Sequence, residues 1–140
     1  MIRSLSAITL LVPSYDEGLA FFVGALGFAV QEDVPLGPEK RWVVVSPSRG
    51  AGASIVLAVP GDERQRQRIG DQTGGRVGYF LVTDDFQKDY AAMRARGVTF
   101  LETPRNERYG MVAVFVDPWG GKWDLLQPTG VSGEQASSGP

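Results

Sequence analysis

FVDPWGGKWDLLQP, residues 115–128, is the stretch on which the fold turns. Val114 and Val116 before it, and Trp123 and Leu125 within it, alternate with a period of two, as strand residues do. Between them, Asp117-Pro118-Trp119-Gly120-Gly121 has turn chemistry throughout. The segment therefore reads as strand, tight turn, strand, a hairpin that closes a sheet near the end of the chain. Asp124 lies between Trp123 and Leu125, so alternation places it on the opposite face from those two apolar side chains. It is a surface carboxylate if that face is wet and a ligand contact if the face lines a cavity.

Working back from the hairpin, residues 76–82, 98–102, 111–117 and 121–127 read as strands. Asp84 caps a helix with Gln87 at the reciprocal position. Phe86, Tyr90 and Met93 follow at i, i+4 and i+7, and Gly97 is the left-handed stop. The first half has the same order. Residues 5–12, LSAITLLV, form a strand that stops at Pro13. Ser14 and Glu17 make a capping-box pattern for a helix over 15–26 with Leu19, Phe22, Val23 and Leu26 on one face, and Gly27 ends it. Strands over 28–34, 41–46 and 54–59 complete the half.

Val12 and Val82, Ser14 and Asp84, and Gly27 and Gly97 repeat at a common offset of 70 residues. Two β-α-β-β-β modules follow, over residues 2–60 and 76–128, each too small to bury a core comfortably alone. Residues 61–75 are a polar linker with room for one helical turn, and residues 129–140 form a disordered tail. In the linker, Arg64, Arg66 and Arg68 alternate with glutamines after Asp62 and Glu63, the pattern of a solvated turn.

Composition narrows the chemistry. With 140 residues, 43% hydrophobic and a formal charge of −2, the chain is globular in character and has no concentrated basic face for nucleic acid. It has no apolar run long enough for a membrane span and no secretory signal, which implies a cytoplasmic protein. The chain contains neither Cys nor His. That removes disulfides, thiolate nucleophiles, Cys or His zinc sites, catalytic triads and histidine bases together.

Several segments resemble the glyoxalase, bleomycin-resistance protein and extradiol dioxygenase group, the vicinal oxygen chelate superfamily. They are Val12-Pro13-Ser14 with Leu19, Phe21 and Phe22; Leu26-Gly27-Phe28; Val82-Thr83-Asp84-Asp85; Arg96-Gly97-Val98; and Asp117-Pro118-Trp119-Gly120-Gly121, which is similar to the family's DPxGN turn. The resemblance implies an α+β fold in which eight strands, four from each module, form a cup that holds the site, often in a homodimer. In metal-dependent members four ligands stand on the first and fourth strands of each module. Carried onto this sequence, those positions fall on Ala7, Val56, Val77 and Asp124. Only one of the four has a donor atom, so a divalent metal is doubtful and no cofactor is expected.

If the alternation holds, the cup is lined by Ala7, Thr9, Leu11, Ser54, Val56, Ala58, Val77, Tyr79, Leu81 and Asp124, a mostly apolar surface with a few hydrogen-bonding groups. A buried Asp124 needs a partner, with Arg41, Arg105 and a cationic ligand as candidates, or it serves only an internal salt bridge. Trp42 can stack on a planar ligand or fill core. RNERY, residues 105–109, is read as a polar loop able to gate the cup. The ligand-binding candidates are thus Thr9, Arg41, Trp42, Ser54, Val56, Val77, Tyr79, Arg105 and Asp124. The leading expectation is a homodimer that binds a small molecule without a metal. The alternatives are a glyoxalase-like lyase, isomerase or dioxygenase relative using Asp124 or Tyr79 as acid or base, and a non-catalytic protein-interaction module.

Overall fold

The computed structural model describes residues 1–47 and 52–130, so the tail expected from the sequence lies, from residue 131 on, outside the described residues. The chain divides into two compact units, Met1–Gln72 and Thr73–Pro140. The first contains β1 (Ala7–Leu11), α1 (Tyr15–Leu19), a π-helical continuation (Ala20–Ala25), β2 (Ala29–Pro35), β3 (Arg41–Ser46), β4 (Ser54–Ala58) and α2 (Glu63–Arg66). Its sheet runs β1-β4-β3-β2, with β1 parallel to β4 and the other pairs antiparallel.

Alternation sorts most of that sheet, although Val44 on the opposite face is buried as well. Leu10, Val12, Val43, Val45, Ile55 and Leu57 are all buried, together with Phe22 and Phe28. The helix lies on this face: a Cβ added at Gly18 would come within 2.9 Å of Leu57 and 3.3 Å of Val12. At roughly 2 kcal/mol for each fully buried Leu, Val or Phe, such packing outweighs the exposed ion pairs, each worth at most about 1 kcal/mol. The expected single α-helix over 15–26 instead widens after Leu19, where Leu26 N donates to Phe21 O. The wider turn lets the consecutive rings of Phe21 and Phe22 both reach the core, with centroids 5.1 Å apart.

The second unit contains β5 (Val77–Val82), α3 (Phe86–Ala95), β6 (Thr99–Phe100), β7 (Arg105–Glu107), β8 (Gly110–Val116) and β9 (Lys122–Pro128). The order is β5-β9-β8-β6, and β7 also pairs with β8. The described residues therefore form nine strands where eight were expected. The ladder along β8 is interrupted after Phe100: Leu101 N still donates to Val114 O, but Val114 N donates to the Glu102 side chain, and Pro104 has no N–H to offer. RNERY is accordingly not a free loop, since Arg105, Asn106 and Glu107 pair with Val112, Met111 and Gly110.

The helical cap also moves by one residue. Asp85, not Asp84, caps α3 by accepting from Lys88 N. Thr83 Oγ1 accepts from Asp85 N and donates to Asp89, which carries the chain one residue further before the helix starts. The two helix stops keep the offset of 70, with Gly27 and Gly97 at φ of 77° and 92°.

The hairpin is held by its own first residue. Asp117 is buried; its Oδ1 accepts from Trp119 N and Gly121 N, and its Oδ2 accepts from Trp123 Nε1 at 3.0 Å. A Cβ at Gly121 would lie 2.3 Å from Asp117 Oδ2, so the carboxylate fits there only against glycine. Residues of the expected linker, in turn, return to the first sheet. Gln72 Oε1 accepts from Leu11 N and Gln72 Nε2 donates to Thr9 O.

Candidate functional site

The second unit's sheet has one face against its helix and one face without. Phe115 and Trp123 pair across β8 and β9 with rings stacked at 5.9 Å, and the aromatic series continues through Phe100, Tyr90 and Phe86 onto α3. Asp124 is the next residue of β9 and so stands on the helix-free face, opposite Val114 of β8 and Phe80 of β5. Phe80 and Val82 are exposed there, at 64% and 69%.

Tyr79 is not on that face. The β5–β9 register shifts between Val77 and Tyr79, so that Tyr79 pairs with Trp123 and its ring lies 4.4 Å from the indole. Gly78 makes the shift possible: a Cβ there would meet Thr73 Cγ2 at 2.4 Å. One extra residue turns Tyr79 and Leu81 toward the helix and brings Phe80 and Val82 beside Asp124, while Val77, opposite Lys122, keeps the face expected of it. The isolated glycine in a strand pattern was the sequence signal for this bulge. Burial first, and then the Asp117 carboxylate, push the Tyr79 hydroxyl above its ordinary pKa. Tyr79 and Asp124 therefore do not form one acid–base pair.

Asp124 is half-buried, and its Oδ1 is enclosed without a hydrogen-bond partner. Burial raises its carboxyl pKa, Arg105 opposes that, and the Glu102 carboxylate adds to it. Arg105 pairs with Val112, which shares the helix-free side with Val114, but its guanidinium is already engaged. Nε donates to Glu102 at 3.0 Å and Nη1 to Glu107 at 2.8 Å. These bonds, with one involving Tyr109, hold Arg105 firmly protonated. The sequence reading missed Glu102 and Glu107, although their spacing around Arg105 was visible.

In the first unit the helix-free face carries Thr9, Val56 and Val44 in one row across β1, β4 and β3, with Ala7 opposite Ser54 in the next. Trp42 lies two residues from Val44 on the same side, 41% exposed, and its Nε1 donates to Glu32. Arg41 faces the other way. It forms ion pairs with Asp16 and Asp33 and lies over the Tyr15 ring, so Asp33 is held below the usual carboxylate range.

A family profile for the Glyoxalase/Bleomycin resistance protein/Dioxygenase superfamily matches residues 4–125. The chain belongs to that superfamily. A protein of Shewanella frigidimarina described only as uncharacterized is 46% identical over 128 residues, 91% of this chain and 95% of its own. Among solved structures, UcmS2 superposes with a TM-score of 0.77 at 30% identity, covering 90% of this chain and 98% of that one. TnmS3, an antibiotic binding protein from Streptomyces sp. CB03234, superposes at 0.73 with 31% identity, covering 91% and 98%.

The four positions that the resemblance would give to metal ligands offer few side-chain donors. Ala7, Val56 and Val77 carry no donor atom, and Asp124 alone supplies at most two oxygens. Among the described residues, no three His, Cys, Asp or Glu side chains gather in a way that would hold a metal ion. No helix of the described residues is long and apolar enough to cross a membrane.

Proposed function

We propose that this superfamily member binds a small, mostly apolar molecule against a helix-free sheet face, without a metal, and that binding itself is the function, as sequestration. One observation carries the reading. On the second unit's open face, Phe80 and Val82 are exposed around a carboxylate oxygen that is enclosed but unpartnered. Exposed apolar surface is costly in water, and an apolar ligand that covers Phe80 and Val82 relieves that cost. The likeness to TnmS3, described as antibiotic binding, supports sequestration over turnover. The donor-poor metal positions support metal-free binding, in a cytoplasmic homodimer.

The test is a fluorescence titration of EDTA-dialysed protein with Nile red, a neutral apolar dye. Saturable binding is expected, equal before and after EDTA, and weakened about tenfold by Val82→Asp, which removes roughly one apolar contact's worth of burial. Absence of saturable binding, or its loss with EDTA, would overturn the reading.

A second reading, a lyase, isomerase or dioxygenase relative with Asp124 as acid or base, has one observation in its favour: burial holds that carboxyl above the ordinary range. Turnover that vanishes in Asp124→Asn while dye binding persists would place it first.

A further inference from the structure

Charge on the open face of the second unit is unevenly matched. Arg105 stands there with both of its bonded edges taken, by Glu102 and Glu107. Asp124 is a third carboxylate, within reach of the Arg105 and Glu102 charges but bonded to neither. Lys122 stands two residues back along the same face of β9 and forms no ion pair with Asp124. An incoming anion would meet three carboxylates and a guanidinium that already bonds two of them. A cation would meet the half-buried Asp124 carboxylate, which Arg105 does not pair with.

The neighbouring side chain suits the same guest. Phe80, directly opposite Asp124 on β5, is 64% exposed, an unusual position for a phenyl ring on a sheet. A carboxylate beside an open aromatic face is a common way to hold an alkylammonium, by a charge-assisted hydrogen bond on one side and cation–π attraction on the other.

We propose that Asp124 and Phe80 form a subsite for an organic cation, so that the ligand is an apolar body bearing a protonated amine, with the ammonium beside the half-buried Asp124 carboxylate and against the Phe80 ring. This deepens the small-molecule reading and rests on it. Discrimination comes from the head group, while the surrounding Val82, Val114 and Leu126 accept the apolar body without regard to its charge.

Three probes with one body test it, by calorimetric titration of the full chain at pH 7: 2-(aminomethyl)naphthalene, 2-naphthalenemethanol and 2-naphthoate. The ammonium is expected to bind about tenfold more tightly than the alcohol, and the naphthoate most weakly. Asp124→Asn should bring ammonium and alcohol to within about twofold of each other while leaving the alcohol's affinity in place. Phe80→Leu, at an exposed position that leaves the fold alone, should weaken the ammonium about threefold more than the alcohol. Equal affinity for all three probes, or an ammonium preference that survives Asp124→Asn, would overturn the cation subsite and leave small-molecule binding standing. Failure of every probe to bind would overturn both.

Discussion

Asp124 is a stability cost in the unliganded protein. Its carboxyl pKa is raised on folding, so the folded state holds its proton more tightly than the unfolded chain does. The contribution is favourable below the unfolded value near 4 and is lost as pH rises through the raised folded value. Asp124→Asn should therefore stabilise the protein at pH 7 by about 1 kcal/mol, because the neutral amide removes a desolvated charge from a half-buried position. Thermal melts from pH 3 to pH 7 check this: the advantage should shrink toward acid, and a constant or reversed difference would contradict it. The charged groups around it are Arg105 and Glu102, with Lys122 further along the strand. That Asp124 faces away from Trp123 was legible from alternation alone, because period two is local geometry. That Oδ1 lacks a partner was not, since Arg105 had to be seen committed to Glu102 and Glu107. The other aspartate of the hairpin shows the converse. Asp117 reads as an ordinary turn residue, yet its three accepted hydrogen bonds place it in the core, and only the folded turn brings Trp123 Nε1 to it.

At the scale of elements, boundaries set by Pro and Gly were readable and those set by partners were not. β3 runs over Arg41–Ser46 as the sequence implies, and Gly27 and Gly97 end their helices with positive φ. The π-helical turn, the bulge at Gly78 and the split of the β8 partner into β6 and β7 all depend on what lies opposite. Gln72 belongs to the same class. Its side-chain amide bonds Leu11 N and Thr9 O as a neighbouring strand would, covering part of the β1 edge. Gln72→Ala should cost about 1 kcal/mol in urea unfolding, the scale of one or two exposed hydrogen bonds, with faster amide exchange at Leu11. Unchanged exchange there would show that the edge does not rely on the glutamine.

For the whole molecule, each unit leaves one sheet face without a helix, carrying Trp42 in the first and Phe80 and Val82 in the second. Association through the first unit's face, where Trp42 is exposed, would make the 15.1 kDa chain a homodimer and leave Phe80 and Val82 open to ligand, and light scattering should give about twice that mass. A monomer at micromolar concentration would remove that expectation. The superfamily, the α+β class, the repeat of helix stops and the poverty of metal donors could all be read along the chain, since each rests on residue identity or on spacing within a few positions. Folding was needed to place Phe80 and not Tyr79 beside Asp124, and to bring Arg105 onto Glu102 and Glu107. A single inserted residue reverses the facing of every side chain after it, and an ion pair is chosen by distance in space; neither is a property of neighbouring positions in the chain.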